Sequence, residues 1–245
     1  AAPGVRFELS LALAYIAERD PAQSLPPALA RMWSQLAVEN AGHPWIGAAT
    51  LGAPPAVLVQ NVFPAFATKR EWNAMEVDFM ARLLERCAAV SNSEMQAGIL
   101  EFVARSPVRL EWVRALGTGL NKTGNTVEQV DRAGVLSAWM ESNARVAGDA
   151  AAQIQARVDA LRALAYAPRP RAIAILKACL GKDSPVEVQC AAAEEWLRID
   201  YSGGSSELVK VWLDLKTDPR QVALRTWLTR TDGVKLVLTA IDSGR

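Results

Sequence analysis

The sequence predicts an all-α protein made of stacked antiparallel helix pairs, with no β-sheet. Three observations support this fold class. Ala, Leu, Arg and Glu dominate the chain, which favours helices. No segment alternates apolar and polar residues as a strand would, and none carries a hairpin signal. Finally, a proline-containing motif recurs at a fixed interval in the second half of the chain, as in proteins built from helical repeats.

The recurring motif is a predicted helix start. Ser184-Pro185-Val186-Glu187 and Asp218-Pro219-Arg220-Gln221 lie 34 residues apart, and each precedes an apolar run. We expect Ser184 and Asp218 to supply N-cap oxygens, and Glu187 and Gln221 to reach back to the free amides. Pro185 and Pro219 follow the two N-cap residues, where proline is tolerated because an amide of the first turn has no helical partner. A further step of the same length leads to Ile154, so three units are predicted after residue 150.

Apolar residues at helical spacing, interrupted by proline and glycine, predict the other helices. The first helix is apolar almost all round, which indicates burial on both sides. Pro64 should kink or end its helix, Ser93 and Thr126 should open capping boxes, and residues 201–205 should form a turn. The expected helices cover residues 5–18, 28–41, 45–51, 56–67, 73–89, 94–105, 107–120, 126–146, 151–164, 171–180, 206–215 and 234–241.

These patterns together predict one HEAT-like α-solenoid domain over residues 1–245, a right-handed superhelix of antiparallel helix pairs. The repeats are expected to be irregular over residues 1–150 and regular, at about 34 residues, over residues 151–245. The chain begins Ala-Ala-Pro-Gly without a methionine or a leader. We therefore expect a processed or excised piece of a larger multidomain protein.

Composition narrows the possible functions. A formal net charge of +1 gives no electrostatic footprint for nucleic acid or for an anionic membrane. No apolar run approaches the ~20 residues that span a bilayer. Cys87, Cys179 and Cys190 show no ligand spacing and lie in apolar runs, so they are expected to be buried. With one histidine in the chain, a conventional zinc site is not expected.

No catalytic, cofactor-binding or metal-ligating residue is predicted, and no cofactor is expected. The segment from Gly117 to Gly124 superficially resembles a phosphate loop, but a helix precedes it and it lacks the Gly-Lys-Ser/Thr ending, which favours an interhelical turn with left-handed glycines. His43 has no visible nucleophile or orienting acid. The pair Glu194-Glu195 and the pair Glu128 and Asp131 are spaced like solvated helix faces.

Eight tryptophans are the most unusual count in the composition. Most are expected to pack between helices, because tryptophan fills large gaps there. An exposed one would instead indicate a partner surface, where tryptophan is enriched. Trp72 has charged neighbours in the sequence and is the residue most expected to be partly exposed.

Several segments resemble the HEAT-like region of PVC-type haem-binding CxxCH proteins, also described as membrane-bound dehydrogenase-domain proteins. The segments are GVRFELSLAL (4–13), HPWIGAA (43–49), PVEVQCAAA (185–193), DPRQVAL (218–224) and LTAIDSG (238–244). The resemblance implies a periplasmic or exported segment between a propeller-like dehydrogenase domain and a c-type cytochrome domain. No CxxCH occurs in this chain, so haem attachment does not carry over, and neither does any catalytic residue.

The sequence therefore favours a non-catalytic helical-repeat scaffold whose partners are a protein or flanking domains. The alternative from another class is a HEAT-like DNA glycosylase, which would hold duplex with tryptophans in a concave basic groove. The eight tryptophans favour that alternative, whereas the near-zero net charge and the lack of a basic run oppose it.

Overall fold

The computed structural model describes residues 2–19, 25–67, 69, 71–105 and 108–242, and these form helices joined by loops without any β-strand. The predicted all-α class is therefore confirmed for that part of the chain. The chain divides into two compact units, Ala1–Val135 and Leu136–Arg245, here called unit 1 and unit 2. The expectation of a single domain over residues 1–245 stays a prediction.

The described residues of unit 1 form nine helices. They are α1 (Pro3–Arg19), α2 (Pro27–Glu39), α3 (Pro44–Leu51), α4 (Pro55–Asn61), α5 (Phe63–Ala67), α6 (Ala74–Ala88), α7 (Ser93–Arg105), α8 (Leu110–Asn121) and α9 (Val127–Val130). In one series of contacts α1 packs on α3, α3 on α6, and α6 on α8. In the other, α2 packs on α4 and α5, and α7 packs on α8 and α9.

Helix α1 has the predicted extent but not the predicted burial. Leu13 and Ala17 are buried, whereas Tyr15 is 56 % exposed and Ile16 is 47 % exposed. The expectation of burial on both sides is therefore wrong. Its described neighbours are α2 and α3, and they cover only part of its apolar circumference.

Pro64 lies at a break between two helices of unit 1. The break predicted at Pro64 is confirmed, since α4 ends at Asn61 and α5 begins at Phe63. The helix predicted over residues 107–120 begins at Leu110, and Pro107 lies outside the described residues.

Two predicted capping boxes had different outcomes. The box at Thr126 is confirmed, because its Oγ1 accepts the Gln129 amide and Gln129 Oε1 accepts the Thr126 amide. The box at Ser93 is wrong, since that residue is already helical and Asn92 Oδ1 accepts a first-turn amide at 2.9 Å instead. Gln96, which should have completed that box, points into the core.

The long helix predicted over residues 126–146 is interrupted. Helix α9 ends at Val130, and the Asp131 carboxylate then accepts the amide of Val135 at 2.7 Å. Gly134, within the loop that follows, is left-handed with φ of 66°. The helix resumes only at Ser137.

Unit 2 is regular over its described residues. Its helices are α10 (Ser137–Gly148), α11 (Ile154–Leu164), α12 (Arg169–Cys179), α13 (Val186–Ile199), α14 (Tyr201–Lys210), α15 (Thr217–Leu228) and α16 (Thr231–Asp242), with a short 3₁₀ helix at Trp212–Asp214. Helices α10, α12 and α14 begin at residues 137, 169 and 201, which are 32 residues apart. Helices α11, α13 and α15 pack on one another in turn and begin at residues 154, 186 and 217.

The predicted 34-residue interval is therefore wrong by two to three residues. Neither Ser184 nor Asp218 caps a helix: Pro185 precedes α13 without a side-chain bond, and Asp218 is the second residue of α15. The two similar motifs consequently stand at different positions of their helices. The equivalent buried residues are instead Trp196 and Trp227, which lie 31 residues apart.

Residues 201–205 were expected to form a turn, and this is also wrong. They form the first turn of α14, where Asp200 Oδ1 accepts the amide of Gly203 at 3.1 Å. A Cβ at Gly204 would lie 3.1–3.2 Å from Trp196. The glycine therefore permits a close approach of α13 and α14, and does not mark a loop.

In four helices, the fourth residue has a polar side chain that donates to backbone carbonyls. Gln96, Arg157 and Gln189 are buried, Arg220 is half-buried, and each donates to carbonyls at the end of an earlier helix or just beyond it. Gln189 Nε2, for example, lies 2.8 Å from the Gly181 oxygen. The acceptor oxygens belong to Ala88 and Val90, to Ala147, to Leu180 and Gly181, and to Trp212 and Leu213 respectively. These bonds tie the start of each helix to the end of the helix before it, and the oxygens of Gly181 and Trp212 also accept the amides of Ser184 and Leu215.

Candidate interaction surface

The segment from Gly117 to Gly124 lies mostly within helix α8, so the expected turn is wrong for its first half. Only Gly124 is left-handed, with φ of 76°. Gly119 is buried where α8 crosses α6, and a Cβ there would lie 2.8 Å from Ala88 Cβ. The glycines of this segment therefore serve helix packing and the end of the helix.

The single histidine is a helix cap. His43 Nδ1 accepts the amide of Ile46 at 3.4 Å, at the first turn of α3. Within the described part of the chain, no group of three or more His, Cys, Asp or Glu side chains could hold a metal ion.

One of the acidic pairs departs from the expected solvated arrangement. Glu194 is exposed as predicted, but Glu195 is 1 % exposed and its Oε2 lies 2.7 Å from Arg198 Nε. The Arg198 guanidinium in turn lies over the ring of Tyr166, 4.9 Å from its centroid. Glu195 thus belongs to a packed ion pair of unit 2.

The cysteines are free thiols in the structure. Cys87 and Cys179 are buried as predicted, and burial raises the pKa of both thiols. Cys190 is half-buried, so the prediction holds only in part for it. Its pKa is also raised, first by burial and then by nearby carboxylates, of which Asp218 has the largest effect. None of the three is therefore an activated nucleophile.

Most tryptophans pack between helices, as predicted. In unit 1, Trp72 is half-buried, stacks on Phe66 at a centroid distance of 6.1 Å, and meets the edge of Trp112 at 5.0 Å. The partial exposure expected of Trp72 is confirmed, but the most exposed tryptophan is Trp45, at 69 %. An aromatic groove for duplex DNA would need several exposed rings.

Trp45 marks a surface at the amino-terminal ends of α3 and α6. A Cβ at Gly42 would lie 3.1–3.3 Å from Met75, so the loop before α3 packs on the first turn of α6. Met75 is 60 % exposed, and Trp45 follows Gly42 by three residues. We call Trp45, Met75 and the loop residues Gly42–Pro44 the Trp45 surface.

Charge is scarce at the Trp45 surface. The sequence carries no Lys, Arg, Asp or Glu from Asn40 to Ala67. The nearest charged side chain on α6, Glu76, is paired with Lys69 at 2.6 Å. Burial raises the pKa of Glu76, but the Lys69 ammonium and the backbone amide of Asn73 together outweigh it and hold that pKa below its usual value. The exposed apolar side chains therefore stand beside a satisfied ion pair.

The comparisons with known proteins identify no relative: no family model, no curated protein and no solved structure matches this chain. Among the described helices, none has both the length and the apolar character needed to cross a bilayer.

Proposed function

We propose that this chain is a HEAT-like α-solenoid scaffold that binds another protein through the Trp45 surface of unit 1. The observation that carries the proposal is the 69 % exposure of Trp45, three residues after the Gly42 on which the exposed Met75 packs. Tryptophan and methionine are enriched in protein interfaces, and tryptophans are frequent hot spots. A solvated helix start gives no folding reason to place an indole there.

The helical-repeat architecture is supported by the recurrence of helix starts every 31–32 residues in unit 2. The polar side chain at the fourth helical position of α11, α13 and α15 recurs at the same interval. Stacked helical hairpins offer extended surfaces, and such proteins bind partners along them.

The resemblance described above extends the proposal to partners and location. A scaffold of that family would stand between a propeller-like dehydrogenase domain and a c-type cytochrome domain in an exported protein. The partner that we propose for the Trp45 surface is accordingly one of these two domains.

A titration tests this proposal directly. The purified chain is titrated calorimetrically with a separately expressed propeller-like dehydrogenase domain, and then with a c-type cytochrome domain, from a protein of the family. One of them should bind saturably, and Trp45→Ala should weaken binding about 30-fold, the effect of losing a hot spot of ~2 kcal/mol. Leu213→Ala removes an 87 % exposed apolar side chain from unit 2 and is the matched control, which should change affinity less than about twofold.

Two results would contradict the proposal. If neither domain binds, the scaffold role between them is wrong. If one binds but Trp45→Ala behaves like Leu213→Ala, the scaffold role stands while the Trp45 surface is not the contact.

A further inference from the structure

Unit 2 contains an apolar cavity that the scaffold role does not use. It lies among α14, the 3₁₀ helix, α15 and α16, and its volume is about 230 Å³. Seven residues line it: Val209, Trp212, Leu224, Trp227, Val237, Ala240 and Ile241. None of these lining residues is charged. We propose that the cavity is a binding site for an uncharged bicyclic aromatic molecule of about the size of indole.

The size of the ligand follows from the volume. An apolar cavity of roughly 150 Å³ binds benzene, a ring of six carbons. A cavity of about 230 Å³ is half as large again. It therefore accommodates about nine or ten ring atoms, which corresponds to two fused rings.

The aromatic character of the ligand follows from the walls. The rings of Trp212 and Trp227 lie 5.7 Å apart at an interplanar angle of 27°. Aromatic rings prefer offset-stacked or edge-to-face contacts, which contribute about 0.5–1.5 kcal/mol beyond the area that they bury. An aromatic ligand gains these contacts with both indoles, whereas an aliphatic ligand of the same volume does not.

The walls are also held in place before any ligand enters. Trp227 is 3 % exposed, and its Nε1 donates to Ser205 Oγ at 2.9 Å. Arg220 donates from Nε to the Trp212 oxygen at 2.9 Å and from Nη2 to the Leu213 oxygen at 3.2 Å, which fixes the 3₁₀ helix. A site with fixed walls loses little conformational entropy when it is filled.

The opening of the cavity and its uncharged lining both agree with an uncharged bicyclic aromatic ligand. Ile241 lines the cavity and is 64 % exposed, so the cavity opens to the surface beside the end of α16. The guanidinium of Arg220 lies 5.7 Å from the Trp212 centroid, but two of its nitrogens are committed to backbone oxygens. No lining side chain would compensate a charge on the ligand, so a charged ring system is excluded by desolvation.

Indole is the probe for the test. It is titrated to about 5 mM into ¹⁵N-labelled protein while the side-chain N–H signals of the tryptophans are followed. The signals of Trp212 and Trp227 should shift saturably, while that of Trp112, buried in unit 1, should not move. Zwitterionic free tryptophan, which carries the same rings with two charges, should bind at least about tenfold more weakly.

Variants locate the site. Ala240→Phe fills the cavity and should weaken indole binding at least about tenfold, whereas Leu238→Phe adds the same ring at a 57 % exposed position of α16 and should not. If Ala240→Phe does not fold, Leu224→Ala serves instead: the enlarged cavity should bind indole more weakly and tricyclic carbazole more tightly. Absence of saturable shifts at Trp212 and Trp227, or unchanged binding in the folded cavity variants, would overturn the proposal.

Discussion

Replacement of Gly119 by alanine probes the closest helix contact of unit 1. Helices α6 and α8 make the most extensive contact in that unit, and Gly119 lies where their backbones meet. An added Cβ would stand 2.8 Å from Ala88 Cβ and would also overlap the carbonyl oxygen of Glu85. Because ordinary contacts are 3.4–4 Å, the Ala88 contact alone requires the helices to separate by about 0.6 Å, and the tighter overlap with the Glu85 oxygen requires more.

Two effects of opposite sign decide the stability of Gly119→Ala. Alanine improves helix propensity by about 1 kcal/mol over glycine. Against this, overpacking a well-filled core costs about 1–3 kcal/mol, and a backbone carbonyl cannot rotate aside as a flexible side chain could. Separation of α6 and α8 also loosens the packing of Trp112, which is fully buried and donates to the Val77 oxygen at 3.2 Å. We therefore expect a net loss of up to about 2 kcal/mol.

Gly98→Ala is the matched control. Gly98 is exposed on α7, in the same unit, and a Cβ there meets no described heavy atom within 4 Å. This variant should gain up to about 1 kcal/mol from propensity alone. Both free energies of unfolding are measured by urea denaturation followed by far-UV circular dichroism. A Gly119→Ala variant as stable as Gly98→Ala would refute the close approach of α6 and α8.

Three further predictions concern buried or paired side chains. Gln189→Leu leaves the Leu180 carbonyl and the Lys216 amide unpaired and should cost about 2–4 kcal/mol in urea denaturation, whereas Gln155→Leu on an exposed face should cost less than about 0.5. Glu76→Gln should lower the free energy of unfolding at neutral pH, and the difference from the natural chain should disappear in acid. The pKa of Glu76 is lower in the folded protein than in the unfolded chain, so its charge stabilises the fold above the unfolded pKa of ~4.3. That stabilisation is lost as the pH falls through the folded pKa. Cys190 should be the first thiol to react with a thiol reagent, and it should react slowly at pH ~8 because its pKa is raised. In Cys190→Ser, the remaining buried thiols should react only as fast as the protein unfolds.

Each of these three predictions has a measurable result that would contradict it. A Gln189→Leu variant as stable as Gln155→Leu would deny the carbonyl-binding role. An acid-independent deficit in Glu76→Gln would assign its effect to the hydrogen bond and not to the charge. Fast reaction of two or more thiols in the folded protein would contradict the burial of Cys87 and Cys179.

The helices were predictable from the sequence because local signals and burial agree for most of them. Apolar spacing and proline positions place α2, α3, α6 and α12 within two or three residues of the structure. The failures arise where tertiary contacts override a local signal. The glycines of residues 203–204 are typical turn residues, yet they lie in α14, where Gly204 allows Trp196 of α13 to approach closely.

The candidate surface was less predictable than the fold. Charged neighbours in the sequence indicated exposure for Trp72, but Phe66 of α5 and the distant Trp112 of α8 both pack on its ring. Trp45 sits in an uncharged stretch and gave no such signal. Its exposure depends on which face of a short helix meets its neighbours, and eight residues of α3 are too few to fix that from periodicity.

The repeat itself shows why residue identity is a poor guide in this chain. The fourth residues of α11, α13 and α15 are Arg157, Gln189 and Arg220, and each donates to a backbone carbonyl at the end of the preceding helix or just beyond it. Arginine and glutamine both carry side-chain N–H donors, but they are different residue types, so their common role is not visible as a repeated sequence motif. The two Pro-containing motifs are alike in sequence, but their positions relative to the starts of α13 and α15 differ by three residues. Since every hairpin end leaves free carbonyls, the donor must recur at the structural interval of 31–32 residues, whatever residue supplies it.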